Sequence, residues 1–418
     1  MNINNLFLLA IQACIAALDE RLIDGTRYTL EDRTDPHAYC QASYPTLATY
    51  TPQENATLVS VHLLTRHGDR VPVDLSTDLT AWRCQTIYAA KSRTGYFLVV
   101  EKRRAEESKC IFGQLTSKGV DQMMGLGGNL HDIYKDFINN KASVKIRSTE
   151  AGRCILSTVA LMSKLLPQET EFEILNLPKK IDGLIYYYND CPNQQKIVDA
   201  IGRSKADSKL NDWFYHRFPK YKNVSSTHPE YKLLTQPDLD KCHFCHGAGD
   251  NDTMESIFSA SNARYRHLFF DDANITPALY RMRIGSVLLD IKQNLLRAGL
   301  ASLDNVIGST TNQFHYYSTH DCTLAALLSS LSIRETKVPP YAANLLIELW
   351  APSPRSFNTL TLRFIYNGNQ VFASWCRSQC SLKAFLDHLD NALELFGGFE
   401  PYFDPPKPPF NLTQECHI

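Results

Sequence analysis

Three short segments of this chain hold side chains that could take a phosphoryl group from an ester. Arg66-His67-Gly68-Asp69-Arg70-Val71-Pro72 sets a histidine between two arginines, Arg147 adds a third cation, and His320-Asp321 adds a second imidazole and a carboxylate. Brought together, they would repel one another strongly unless they surrounded a dianion, and guanidinium forks match phosphate oxygens in shape and charge. Flanking guanidiniums disfavour the imidazolium, so His67 would stay neutral and nucleophilic at mildly acidic pH. Attack on phosphorus would give a phosphohistidine that water then hydrolyses, with the arginines stabilising charge on the equatorial oxygens. The leaving alkoxide needs a proton, and Asp321 is the acid placed to supply it. An acid that must be protonated points to an acidic optimum. This chemistry requires no metal and no cofactor.

Each segment follows an apolar, β-rich run, which places it at a strand end. Leu58–Leu64 reads as a buried strand that breaks into the first segment, with Pro72 blocking continuation. Ser143–Ile146 reads as a strand before Arg147, and Phe314–Thr319 as a strand before His320. Ligands in open α/β sheets bind at the carboxyl ends of strands, so one crevice could receive all six side chains: Arg66, His67, Arg70, Arg147, His320 and Asp321. Helical spacing over Gly119–Asn139, Ile155–Leu166, Ala278–Ala298 and Thr323–Leu331 supplies the flanking layers. Leu345–Trp350, Thr359–Tyr366 and Gln370–Ser374 read as further strands, the last two joined across Asn367-Gly368-Asn369. The stretch from Asn193 to His267 has little strand signal and reads as an inserted helical cap. The organisation is therefore α/β with a helical insertion.

The chain has 418 residues and is 44% hydrophobic and 21% charged, enough for a substantial core and unlike a disordered chain. Its 43 Lys+Arg against 44 Asp+Glu leave a formal charge of −1, which argues against nucleic acid or an acidic membrane as main partner. Leu6–Ala17 is a predominantly apolar run, far short of the roughly 20 residues a membrane span needs. With Ala16-Ala17 as a cleavage site it reads as a signal peptide, residues 1–17, and leaves no span in the mature chain. Asn-x-Ser/Thr sequons at Asn55, Asn223, Asn251, Asn274 and Asn411 agree with passage through the secretory pathway. The expected location is secreted or lumenal, with lysosome and Golgi both open.

The twelve cysteines fit an oxidising compartment. Cys376 and Cys380 are close enough to close a short loop, and Cys84 and Cys110 could staple the basic stretch Lys91–Lys109 between them. Cys154 and Cys322 sit on apolar helix faces as buried thiols. Cys242-His243-Phe244-Cys245-His246 matches a haem-attachment pattern and offers zinc ligands, but a disulfide or cap staple is the favoured reading. His62 reads as a core or edge residue. Trp213, Phe214 and Tyr215 read as core packing, with the cap face of the cleft as the alternative. Lys102-Arg103-Arg104 reads as a solvated loop, the alternative being a dock for an acidic glycan.

The first segment resembles the Arg-His-Gly-x-Arg-x-Pro signature of the histidine acid phosphatases. His320-Asp321 is similar to their second motif, Arg147-Ser148-Thr149 to the intervening arginine segment, and Gly113-Gln114-Leu115-Thr116 with Gly119 to the helix start between them. The resemblance runs from about Thr57 to the C-terminus. It implies His67 as nucleophile, Asp321 as proton donor, and Arg66, Arg70, Arg147 and His320 as phosphate binders. It also implies a large α/β domain, residues 40–190 and 272–418, with a mixed central sheet flanked by helices, and a smaller, mostly helical cap, residues 191–271. Pairing of Cys191 with Cys416 and of Cys376 with Cys380 is implied too, whereas Asn344 stands where secreted members carry a cysteine.

The later half resembles the 2-phosphoxylose phosphatases, which act on the glycosaminoglycan linkage region. Cys242–His246, Ala342–Trp350 and Tyr366-Asn367-Gly368 carry that likeness. Arg147-Ser148-Thr149 instead follows the prostatic and lysosomal pattern, and the leader is shorter than a Golgi anchor. The reading is a phosphate monoester hydrolase of acid phosphatase type, with a 2-phosphoxylose phosphatase acting on proteoglycan as the alternative. An inactive phosphate- or glycan-binding protein on the same fold is the alternative of another class. The partner is a phosphate monoester, with no nucleic acid; a glycan or proteoglycan substrate and a homodimer are left open.

Overall fold

The computed structural model describes residues 35–73, 78–139, 143–179, 181–184, 205–224, 232–271, 275–303, 313–376 and 380–393. The signal peptide, Cys191 and Cys416, and the sequons at Asn274 and Asn411 lie outside the described residues.

Ten strands form one mixed sheet: β1 (Ala56–Arg66), β2 (Cys84–Thr94), β3 (Phe97–Ser108), β4 (Ser143–Ser148), β5 (Glu171–Leu175), β6 (Gln313–Thr319), β7 (Asn344–Pro352), β8 (Thr361–Tyr366), β9 (Asn369–Val371) and β10 (Cys380–Ser381). Their order is β10-β8-β7-β1-β6-β4-β5-β3-β2, with β9 beside β8. β1, β6, β4 and β5 run parallel in the middle, and the remaining pairings are antiparallel. Both faces of the centre are covered, which is why β1, β6 and β7 read as nearly continuous apolar runs. Along β1, Val61 and Leu63 enter one apolar cluster and Leu64 the other, as the two-residue period requires.

Helices α1 (Ser117–Asn139) and α2 (Gly152–Leu165) cover one face. The insertion between β5 and β6 supplies α3 (Lys205–Arg217), α4 (Asp238–Cys245), α5 (Asn251–Arg266) and α6 (Ile275–Leu303), and contains no strand among its described residues. α6, α7 (Asp321–Ser330) and α8 (Leu382–Leu393) cover the other face. Phe214 is buried, with Trp213 and Tyr215 packed against the same core.

Two local readings are corrected. Lys102-Arg103-Arg104 lies in β3, within a long hairpin with β2 at the sheet edge, and not in a loop. Its charges sit where the hairpin is solvated, so burial leaves no periodic trace there. The third C-terminal strand is shorter than expected, Asn369–Val371, and joins β8 through Asn367 and Gly368 at positive φ, 47° and 79°.

Candidate active site

Parallel pairing aligns the three chemical segments. Arg66 lies opposite Thr319 across β1 and β6, and Ser148 opposite Ser318 across β4 and β6, so all three chains leave the sheet at one edge. The first segment is then pressed onto the start of α1. A Cβ on Gly119 would stand 2.1 Å from the Asp69 carbonyl oxygen, and one on Gly68 2.4 Å from that of Gly119, so this approach needs both glycines. Thr116 caps α1: its hydroxyl accepts from the Gly119 N–H at 3.0 Å and donates to Asp69 Oδ1 at 2.6 Å. The Asp69 N–H donates to Gln122 Oε1 at 2.7 Å.

His67 is 3% exposed. Its Nδ1 lies 2.8 Å from the Gly68 carbonyl oxygen, which only accepts, so Nδ1 carries the proton and Nε2 keeps its lone pair. Burial, then the charges of Arg153, Arg66 and Arg70, hold its pKa well below the ordinary histidine value. Burial, more than the guanidiniums, keeps the ring neutral. The His320 ring meets it edge to face, with centroids 5.7 Å apart.

Arg66 donates from Nη1 to the Pro339 carbonyl (2.7 Å) and from Nη2 to the Tyr39 hydroxyl (2.9 Å), and its guanidinium lies over the Tyr341 ring. Arg70 grips Asp238 of α4 with both terminal nitrogens, at 3.0 and 2.7 Å. Arg153, in the first turn of α2, places Nη2 3.4 Å from His320 Nδ1. The Nε atoms of Arg66, Arg70 and Arg153 are all buried and bonded to no described protein atom. Three such donors around one histidine suit an oxyanion, because each would otherwise bear the cost of an unmet hydrogen bond.

Arg147 departs from the sequence reading. It is fully buried and ion-paired with Asp182, itself fully buried, at 2.8 Å. It stands opposite Tyr317, whose hydroxyl donates to Asp290 of α6, so strand alternation turns Arg147 into that layer and away from His67. The cation beside His67 and His320 is Arg153, six residues on, which the sequence reading missed. The signal was present: a helix starts directly after β4, and its first turn faces the same crevice.

Asp321 opens α7 with Oδ2 3.1 Å from Arg66 Nη2, and its Oδ1 accepts the Cys322 N–H at 2.8 Å. Burial pushes its pKa up, but Arg66 and that N–H outweigh burial and bring it below the ordinary carboxylate range. Thus the acid expected from sequence is held as a carboxylate by its own neighbours. His320 is neutral, its pKa lowered by burial and then by Arg153 against the opposing pull of Asp321. Its Nε2 lies 3.2 Å from the Thr149 hydroxyl.

The Cys242–His246 segment explains itself through α4. Cys245 is disulfide-bonded to Cys40, a pairing the sequence did not reveal, so it is neither a haem nor a zinc thiolate. His246 Nε2 is 2.7 Å from Asp69 Oδ1, Asp238 holds Arg70, and Lys241 is buried beside Tyr39. Burial lowers the Lys241 pKa to about 8 against the pull of Asp238 and Asp321. Cys242 is a buried free thiol 3.7 Å from Arg70 Nη1. Cys154 is a buried free thiol as expected, Cys322 is buried, and Cys84–Cys110 and Cys376–Cys380 are bonded. His62 is a core residue, stacked on His315.

A histidine set among arginines at the strand ends of a mixed α/β sandwich is the arrangement of a phosphate-handling enzyme. The chain belongs to the histidine phosphatase superfamily (branch 2), whose profile matches residues 57–367. It is similar to 2-phosphoxylose phosphatase 1 of Xenopus tropicalis, 26% identical over 79% of this chain and 74% of that one. It is also similar to the lysosomal acid phosphatase of Pongo abelii, 24% identical over 81% of this chain and 79% of that one. Among solved structures, the apo phytase of Hafnia alvei shares the fold with a TM-score of 0.56 and 12% identity, over 82% of this chain and 99% of that one. The protein is a phosphoric monoester hydrolase.

Proposed function

We propose that the protein is an acid phosphatase in which His67 Nε2 attacks the phosphorus of a monoester and forms a phosphohistidine. The observation that carries this is the His67 Nδ1–Gly68 contact, which leaves Nε2 as the lone-pair nitrogen among the Nε donors of Arg66, Arg70 and Arg153, which bond to no described protein atom. The phosphorus–oxygen bond to the alcohol breaks as the nitrogen–phosphorus bond forms, and Asp321 protonates the departing oxygen. Water then attacks the phosphohistidine, giving its proton to Asp321, and phosphate leaves.

Because Arg66 holds Asp321 ionised, the proton arrives with the substrate. A monoester monoanion carries one, and a phosphoryl group beside Asp321 offsets the Arg66 charge and raises the carboxyl pKa. The residue roles are His67 and Asp321 catalytic, and Arg66, Arg70, Arg153 and His320 phosphate-binding. Arg147 instead supports the strand beneath them.

Residues 191–271 act as the helical cap, and the chain works in a secretory or lumenal compartment. Exposed sequons at Asn55, Asn223 and Asn251 and the disulfides support that location. Phosphate release from p-nitrophenyl phosphate across pH 4 to 8, with EDTA present and His67→Ala alongside, tests the reading. An acid optimum that survives EDTA and disappears in the variant supports it. No turnover by folded wild type sinks it and leaves the 2-phosphoxylose and binding-protein alternatives to be separated.

A further inference from the structure

Beside the charged cluster lies an exposed apolar surface that catalysis leaves unused. Val73, Ile111 and Phe112 are 48%, 67% and 39% exposed. They are held together by a fixed turn. The Gly113 N–H donates to the Pro72 carbonyl, the Val71 N–H to that of Gln114, and the Ile111 N–H to Gln114 Oε1, each at 2.9 Å. The Val73 N–H donates to Asp238 Oδ2 at 3.1 Å, on the same carboxylate that grips Arg70. Gly113, at φ +69°, is the joint: a Cβ there would stand 3.2 Å from Val73 Cγ1 and 3.5 Å from Arg153 Nη1. The apolar turn therefore borders the arginine that stands beside His67 and His320.

Charge points the same way. Among the described residues, Arg66, Arg70, Arg153 and Lys241 lie together with Asp69, Asp238 and Asp321, four cationic side chains against three acidic ones. That small surplus suits a single phosphate. A leaving group bearing more phosphates would find no further cation in this cluster, whereas an uncharged ring would cover apolar surface now facing water.

We propose that Val73, Ile111 and Phe112 form a subsite for the leaving group, selecting monophosphate esters whose alcohol presents an uncharged ring. This rests on the catalytic reading above. Benzyl phosphate and ethyl phosphate have alcohols of similar basicity, so their difference in kcat/KM reports binding of the ring rather than bond reactivity. The test measures both esters, myo-inositol hexakisphosphate, and the inhibition constant of inorganic phosphate, in wild type and in Ile111→Ser/Phe112→Ser. These side chains are exposed, so the variant folds. The expected result is a wild-type preference for benzyl phosphate and a loss of about tenfold on that ester alone in the variant. Activity on ethyl phosphate and inhibition by phosphate then stay put. An equal fall on both esters, no fall, or wild-type turnover of the hexakisphosphate matching that of benzyl phosphate overturns the subsite. No turnover of any ester brings down the catalytic reading with it, whereas turnover without ring preference brings down this inference alone.

Discussion

Arg153 Nη2 stands 3.4 Å from His320 Nδ1 at the start of α2, while Arg147, six residues earlier in β4, forms a buried pair with Asp182. In the proposed mechanism these two arginines have separate duties, one toward phosphate and one toward the fold.

The separation is measurable. Arg153→Ala is expected to lower kcat/KM by about 10²–10³-fold and to weaken inhibition by phosphate, with little change in melting temperature. Arg147→Met leaves the buried Asp182 carboxyl without its cation, at a cost of about 3–5 kcal/mol, and Arg147→Met/Asp182→Leu recovers most of that. Kinetics on the folded fraction and urea melts of the three variants check both halves.

The pH profile follows from one proton shared between ester and Asp321. Above the second phosphate pKa, about 6, the ester loses that proton and kcat/KM falls with rising pH. On the acid side the depressed His67 pKa keeps the nucleophile neutral below the ordinary histidine range, so activity does not drop through pH 6.5. Asp321→Asn is expected to slow benzyl phosphate far more than p-nitrophenyl phosphate, because only the poorer leaving group needs an acid. Equal losses on the two esters would count against Asp321 as donor.

Gly119→Ala would force a Cβ to within 2.1 Å of the Asp69 carbonyl, a backbone contact that cannot give way easily. A loss of about 1–3 kcal/mol or more is expected, together with displacement of the segment that carries His67 and Arg70. Thermal melts and kcat/KM falling together would show it, whereas Gly128→Ala, with open space around it, should change neither.

Acid also strains the core. Burial, then Lys145, lowers the His62 pKa to about 3, and burial likewise lowers His315, so both stay neutral when folded. Unfolded, each titrates near 6.5, so the unfolded chain binds more protons below that pH. Stability therefore falls from about pH 6.5 toward 3, by up to about 1.4 kcal/mol per pH unit for each histidine. Denaturant melts at pH 7, 6, 5 and 4 should show the slope, shallower in His62→Phe.

Strands β1, β4, β6, β7 and β8, the flanking helices and the strand-end positions of His67, His320 and Asp321 were legible because both sheet faces are buried and these strands read as apolar runs, whereas the short β5, with Glu171 and Glu173 exposed, carried too little apolar signal. Arg147 misled because a residue inside a strand faces one side or the other, and only register with Tyr317 tells which. Arg153 was hidden one helical turn later. The Cys40–Cys245 bond and the Asp238–Arg70 clamp were invisible because they join segments far apart in sequence, and no local period encodes such contacts. The β2–β3 hairpin escaped because its charged outer half is solvated on both faces and lacks alternation.

The most direct test traps the covalent intermediate. The enzyme is mixed with p-nitrophenyl phosphate and quenched in alkali within milliseconds, since phosphohistidine is labile in acid, and its peptides are mapped by mass spectrometry. The account predicts a phosphoryl adduct on the His67 imidazole during turnover and none in His67→Ala. Steady turnover with no adduct, or an adduct on another residue that persists in His67→Ala, would contradict it.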